Sequence, residues 1–445
     1  MDWITALAVM LGAVCAQLFI GVPVAFAFLA ANILGAVLFL GGVDALSTFP
    51  GESLDAIGKY SVAAIPMFVL MGELLFHTGV AARAIDAIDR LIVRLPGRLA
   101  VVSLLGGTAF ASLSGSTIAS TALIGNTLLP RMLAQGYDRK LAMGAIMSVG
   151  GIAMLIPPSA LAVLLASLAE QSIARLLIAG IVPGVLMATL FVSYVVLRCA
   201  LNPHLAPAEP EAEGPGARRP EWRPILVHVA PLFVIFAAVL GSMFGGFASP
   251  TEAAAVGCVV TALVCAAYGR LTVAGVRTAV VETAKIAVMI LFIVAGSLTF
   301  SQILAVSGGT SGLLRALGDA AFAPMTLVAI MLGILLFLGC FMDQLSMILL
   351  TLPFFVPLAM GADIDMTWLM LLVLVAMELS LLTPPFGLLL FVMKGVAPRD
   401  IPLLSVYGAA LPFVGLKYAV LVLLALWPGL STWLPDLVLK WPRRR

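Results

Sequence analysis

The sequence predicts an all-α polytopic membrane protein built from two inverted repeats, with re-entrant helical hairpins and Pro-Pro broken helices. Three observations carry this prediction. The first is composition. Of 445 residues, 62% are hydrophobic and 10% charged, with a mean hydropathy of +1.16. Soluble domains run nearer half apolar and a quarter charged, so the bilayer is the expected solvent. The second is a series of apolar runs, many long enough to span, since a crossing needs about 20 apolar residues. The third is a self-match at a shift of 227 residues that brings the unusual elements into register.

Ile4–Gly42 is long enough for two spans, and Gly21-Val22-Pro23 is a natural turn between them. Further spans are expected at 61–78, 141–168, 176–198, 225–241, 253–268, 286–303, 367–394 and 402–427, about ten crossings in all. Two other apolar stretches, 99–130 and 324–357, are broken midway by small and polar residues. Ser112, Ser114, Gly115, Ser116 and Thr117 interrupt one; Gly339, Asp343, Gln344 and Ser346 interrupt the other. Each arm reads as too short to cross. They are therefore expected as re-entrant hairpins, whose tips must be covered by protein or face a cavity.

Lys and Arg cluster in segments 79–98, 131–140, 198–223, 269–285 and at Lys394 and Arg399. Single crossings and re-entrant hairpins put all five on one side, read as cytoplasmic, with both termini outside. The basic tail Lys440–Arg445 departs from that rule. Segments 81–98 and 271–285 carry charge on one helical face, as interfacial or solvated connecting helices do. Residues 201–224, rich in Pro, Glu, Gly and Arg, read as a mobile cytoplasmic linker between a first repeat, 1–200, and a second, 225–445. The N-terminus lacks a basic n-region, so the first apolar run is expected to be retained. The net charge of +2, with no basic stripe, gives no reason to expect nucleic acid. Cys15, Cys199, Cys258, Cys265 and Cys340 stand singly and read as small core residues. His77, His204 and His228 form no metal pattern.

At the shift of 227, Pro23 matches Pro250, Pro130 matches Pro357, Pro157 and Pro158 match Pro384 and Pro385, and Asp138 matches Asp365. Five spans per half turn the second half upside down relative to the first. Inverted repeats whose broken helices meet near the midplane are the layout of many secondary transporters. An ion channel with such repeats is the alternative at this point.

Two mirror constellations are candidate sites. The first pairs the tip Ala111–Thr117 with the break Gly151–Ser159 around Pro157-Pro158. The second pairs the tip Leu338–Asp343 with the break Glu378–Pro385 around Pro384-Pro385. Proline removes an amide donor and frees a carbonyl oxygen. Hydroxyls beside freed carbonyls suit sodium, and helix N-termini at the tips suit a substrate carboxylate. The plainer alternative is that Ser and Gly only let helices pack closely. Asp343 and Glu378 are acids at membrane depth, where such groups are costly and usually functional, or paired structurally. Glu73 and His77 read as structural residues near the cytoplasmic end of a span. Ser249-Pro-Thr-Glu252 reads as a capped helix start.

Pro66–Leu74, Leu113–Thr117, Leu155–Ser159, Ser249–Val256 and Leu382–Gly387, in this order and spacing, resemble the large, DctM-type permease subunit of tripartite ATP-independent periplasmic (TRAP) transporters. The resemblance runs over about residues 1–430. It implies sodium-driven elevator transport across the bacterial inner membrane. It also implies two separate partners, a small DctQ-type membrane subunit and a DctP-type periplasmic binding protein that delivers a small organic anion: a C4-dicarboxylate, sialic acid or another sugar acid. The family's first sodium site would fall on Ser114, Thr117, Ala153, Ile156 and Pro158. The second would fall on Gly339, Ser380, Thr383 and Phe386. Gly115, Ser116, Ser159 and Asp343 would lie toward the substrate. Ala153 and Ser380 stand where the family usually has glycine, a tolerable change if those positions ligate by backbone carbonyl. Sodium is the one metal implied, and no organic cofactor is.

A stand-alone sodium/anion symporter of the same superfamily is the competing reading. An intramembrane enzyme is remote. Ser112-Leu-Ser-Gly115 only approaches a membrane serine-protease motif, no histidine follows His228, and there is no His-Glu-x-x-His run. No nucleotide-binding loop is present, so ATP is not the expected energy source.

Overall fold

The computed structural model describes residues 2–42, 51, 54, 57–58, 60–92, 95–114, 116–207, 223–319, 322–385 and 387–440. Among them there are helices and turns and no strand. In hydrocarbon every backbone polar group must be satisfied within the protein, and helices do so within each segment.

The chain opens with α1 (Trp3–Phe19) and α2 (Val24–Phe39), joined through Gly21, whose φ of 88° makes the expected turn. Then come α3 (Ala64–His77) and the amphipathic α4 (Val80–Leu91). The first hairpin is α5 (Arg98–Ser114) and α6 (Thr117–Ala134). The first broken helix is α7 (Arg139–Leu155) and α8 (Ala160–Leu168), bent by 44°. α9 (Ile173–Leu201) follows. The second half runs α10 (Arg223–His228), α11 (Ala230–Phe244), α12 (Pro250–Ala267), α13 (Val273–Val306) and α14 (Gly309–Asp319). Its hairpin is α15 (Pro324–Leu338) and α16 (Gln344–Gly361), and its broken helix is α17 (Met366–Ser380) and α18 (Leu388–Val396). α19 (Leu403–Leu426) and α20 (Gly429–Lys440) close the chain.

α7 and α17 form the centre. Every residue from 141 to 155 and from 367 to 380 is buried, as expected of helices that are apolar on all faces. They pack on one another, with α9 and α19 against both. A second group, α2, α3, α12 and α13, packs together through α3·α12, α3·α13 and α2·α13. By length and composition α9, α12, α13, α16 and α19 can each span, and the bent pair α7–α8 can do so together.

The register of 227 holds in detail. Asp138 and Asp365 cap α7 and α17, each accepting a backbone amide three residues on. Ser116 and Asp343 cap the second hairpin arms. Both Pro-Pro bonds, 157–158 and 384–385, are cis. Left-handed residues precede both capped helices, Gly136 (φ 79°) and Asp363 (φ 52°).

Several expectations need correction. Segment 271–285 is no separate interfacial helix. It is the start of the continuous 34-residue α13, because no Gly or Pro interrupts residues 276–295. At 1.5 Å per residue α13 is about 50 Å long, well beyond a hydrocarbon core of about 30 Å. The arm α16 is not too short to cross, since its 18 residues suffice by length and composition. The start of the 201–224 linker is folded: Leu201 ends α9, Pro203–Leu205 form a 3-10 turn, and the Leu205 carbonyl accepts the Asp138 amide at 2.8 Å. Residues 208–222 of the linker and 441–445 of the tail lie outside the described residues. Two helices were unforeseen. α14 packs on α1 with Gly312 against Trp3, and α20 packs on α9, where Arg175 pairs with Asp436 at 3.0 Å.

Candidate functional site at the two hairpin tips

The tips of both hairpins, the start of α8 and the residues on either side of the second break, Leu381 and Leu388, border one cavity of about 1060 Å³. Its polar lining comes from Ser116 and Thr117 of the first tip, Asp343, Gln344 and Ser346 of the second, and Glu73 of α3. The rest is mostly apolar, with Cys15, Ile65, Ile290 and Phe391 among the lining residues. No Lys, Arg or His is among the described lining residues. Pockets of this size and character suit small molecules.

Ser116 starts α6, its hydroxyl accepting the Ala119 amide at 3.2 Å. Asp343 starts α16, one oxygen accepting the Leu345 and Ser346 amides while the other takes the Ser346 hydroxyl. The two N-termini therefore differ. The first is capped by a neutral group and keeps its attraction for anions; the second is already neutralised by a carboxylate.

Behind the cavity wall lies the buried hub of the molecule. The Thr117 hydroxyl donates to Glu378 Oε1 at 2.8 Å, and the Gln344 amide donates to the same oxygen at 2.7 Å. Lys417 of α19 approaches Glu378 Oε2 at 3.4 Å, with 0% of the lysine side chain exposed and 1% of the glutamate. Thr117 and Gln344 are equivalent under the shift of 227, the first residues of their arms. Glu378 is equivalent to Gly151. A Cβ on Gly151 would sit 2.5 Å from Lys417 Cε, and one on Gly150 would clash with the Thr117 methyl. The two glycines open α7 for the polar groups of three other helices.

Of the first expected sodium set, Thr117 is thus drawn into the Glu378 hub, though its oxygen keeps lone pairs for a further partner. Ser114 ends α5, and Gly115 lies outside the described residues. Ala153 is buried in the last turn of α7. Ile156 ends that helix with its side chain against Gly184 of α9, so only its backbone is free to face the break. Pro158 follows in the cis pair. Ser159 is buried and caps α8, accepting the Ala162 amide at 3.3 Å; its side chain is occupied by the helix start.

The second set is brought together more visibly. Gly339 lies so close to Ser380 that any Cβ would strike the serine hydroxyl. Ser380 and Thr383 donate to Met377 and Leu379 carbonyls at 2.7 and 2.8 Å, leaving their lone pairs available. Phe386 lies outside the described residues. The break is closed by the Leu389 amide donating to the Leu381 carbonyl, and the Tyr407 hydroxyl donates to the Pro385 carbonyl at 2.6 Å. Cys340 sits over the break, its thiol 4.0 Å from both the Thr383 and Pro384 carbonyls.

Glu73 pairs with His77 one turn on at 3.1 Å, as a structural pair would, yet it also borders the cavity. Ser249 and Glu252 form the expected capping box. Lys417, Gln344 and Cys340 carry no motif. The signal for Lys417 was its solitude, one cation within a 24-residue apolar helix.

A family model for the DctM component of tripartite ATP-independent periplasmic transporters matches residues 11–430. The C4-dicarboxylate TRAP transporter large permease protein DctM of Pseudomonas aeruginosa is 31% identical over 396 residues, covering 88% of this chain and 90% of that one. The ectoine/5-hydroxyectoine TRAP transporter large permease protein UehC of Ruegeria pomeroyi is 30% identical over 423 residues, covering 94% and 96%. The fold is shared with the Alcanivorax borkumensis YdaH transporter, at a TM-score of 0.61 and 16% identity over 91% of this chain and 97% of that one. With a match of this length, and with hairpins and breaks where its motifs fall, the chain belongs to the DctM family, the large permease subunits of TRAP transporters.

Proposed function

We propose that this subunit is the moving core of a sodium-coupled importer of a small carboxylate. The chain is a multi-pass inner-membrane transporter subunit and not an enzyme. Its family works in tripartite systems. The finer reading adds a DctQ-type membrane subunit, and a DctP-type periplasmic protein that hands over the substrate.

The observation that carries this is the shared cavity. Both tips line it, and residues flanking both breaks (Ala160, Leu381 and Leu388) border it, so cation sites formed by tip and break oxygens would lie close to the substrate. Sodium is the fitting ion, being hard and oxygen-seeking, and the available donors are hydroxyls and carbonyls. No basic side chain is described in the lining, so the carboxylate would be met by the amides at the start of α6, the Ser116 hydroxyl and the bound cations. The named substrates of the two relatives, C4-dicarboxylates and ectoine, define the range to test first. Inverted repeats, with both hairpins sliding against the α2–α3–α12–α13 group, supply alternating access.

The test is uptake into proteoliposomes holding both membrane subunits and the binding protein. Uptake is expected only with a sodium gradient. Uptake that persists in sodium-free buffer under a proton gradient would overturn the coupling, and full transport by this chain alone would make it a stand-alone symporter. Thr383→Val removes one oxygen at constant shape and is expected to weaken the sodium dependence. It is a cleaner probe than Thr117→Val, which also cuts the bond to Glu378.

A further inference from the structure

We propose that the Lys417 ammonium is a tethered cation occupying a third cation position, built by both halves of the chain around Glu378. The inference rests on the sodium-coupled function proposed above.

A buried carboxylate is costly unless it is paired, and the Lys417 ammonium lies 3.4 Å from this one. Glu378 also spans the molecule. Its Oε1 holds Thr117 and Gln344, the first helical residues of the two arms that start at the cavity. Its Oε2 faces α7 at Gly150, where an added Cβ would lie 3.0 Å away. Into that gap Lys417 extends from α19, its Cε and Nζ lying where a side chain on Gly151 would begin. The position therefore has an acid from one half and a vacancy at the equivalent residue of the other.

The choice of an ion pair is informative. Replacing a buried ion pair by apolar residues is often neutral or stabilising, so stability alone does not account for it. What the pair does supply is fixed charge at the point where both hairpins are joined. A diffusible cation there would have to enter and leave in every cycle. A cation on a side chain stays beside Glu378 through the cycle and adds no ion to the transported set. Lys417 is in this sense a positioning residue, holding the carboxylate that holds both tips.

Lys417→Met tests the idea, because methionine reaches about as far as the lysine Cε and leaves only the ammonium volume vacant. The full chain, purified with its small membrane subunit, is titrated with 22Na+ at equilibrium. The Met variant is expected to bind about one ion more per chain than the wild type. Lys417→Arg and the double variant Glu378→Gln/Lys417→Met are expected to keep the wild-type count. An unchanged count in Lys417→Met overturns the proposal. If the Met variant is recovered poorly, its melting temperature is compared in sodium and choline chloride. A sodium gain larger than that of the wild type supports the proposal; equal instability in both salts, relieved in the double variant, reduces Lys417 to an ordinary ion-pair partner and overturns it. Absence of sodium binding in the wild type would instead defeat the sodium-coupled function, leaving the difference between variant and wild type to be read separately.

Discussion

The two halves of the chain share one backbone plan and differ in charge. Each presents a capped hairpin tip, a cis Pro-Pro break and an Asp-capped central helix in the same register. The first half has Ser116 at the tip and Gly150-Gly151 at the crossing of the central helices. The second has Asp343 at the tip, with Met377-Glu378 at that crossing. The duplicated geometry makes a cavity with two similar ends. The unequal side chains make those ends chemically distinct, one receptive to anions and one already anionic. A transporter needs the first property to alternate and the second to tell substrate from ion.

The contrast can be broken most severely at the crossing itself. Glu378→Ala leaves Lys417 buried without its partner and is expected to cost about 3–5 kcal/mol in thermal or denaturant unfolding. The reciprocal change on the other half, Gly151→Ala, pushes against Lys417 Cε and is expected to cost about 1–3 kcal/mol by overpacking. If the two substitutions destabilise equally, the crossing is a packing site and the charge difference is incidental. At the second tip, Gly339→Ala forces a methyl into Ser380 and is expected to lower the melting temperature and weaken sodium binding. Pairing it with Ser380→Gly is expected to restore stability, which a double-mutant cycle measures.

The caps sharpen the comparison at lower energy. Ser116→Ala and Asp343→Ala should each cost about 1 kcal/mol. Their functional effects are expected to diverge. Asp343→Asn keeps the cap and lowers negative charge at the cavity, so substrate affinity in a binding assay is expected to rise, whereas Ser116→Ala lowers it. The smallest effect is expected at an exposed surface pair. Arg139 and Asp400 pair at 2.8 Å but are 57% and 60% exposed, so Arg139→Ala should change stability by less than about 0.5 kcal/mol.

How far the sequence could be read follows the range of the forces involved. The capping box at Ser249–Glu252, the turn at Gly21 and both breaks are written in adjacent residues, and all are present. The hairpins were legible because a polar interruption in an apolar run has few solutions in a membrane. The separate helix expected at 271–285 was misplaced for the same local reason. Arg277, Glu282 and Lys285 suggested an interface, but nothing in the backbone stops α13, and Lys285 settles on Glu282 at 2.7 Å along the helix surface. The hub was the least legible. Glu378 was visible as an acid at depth, but its partners lie 261, 34 and 39 positions away on three other helices. Periodicity and spacing within one element carry no trace of such a meeting. Nor could they show that two glycines on α7 were leaving space for it.

Cys15 and Cys340 border the same cavity from different elements, one on α1 and one at the second hairpin tip. The native chain thus carries its own pair of chemical reporters. The rate at which each thiol is alkylated, compared with and without sodium or substrate, follows the opening of this chamber from two vantage points. No engineered label is required, and the permease can be watched in its unmodified form.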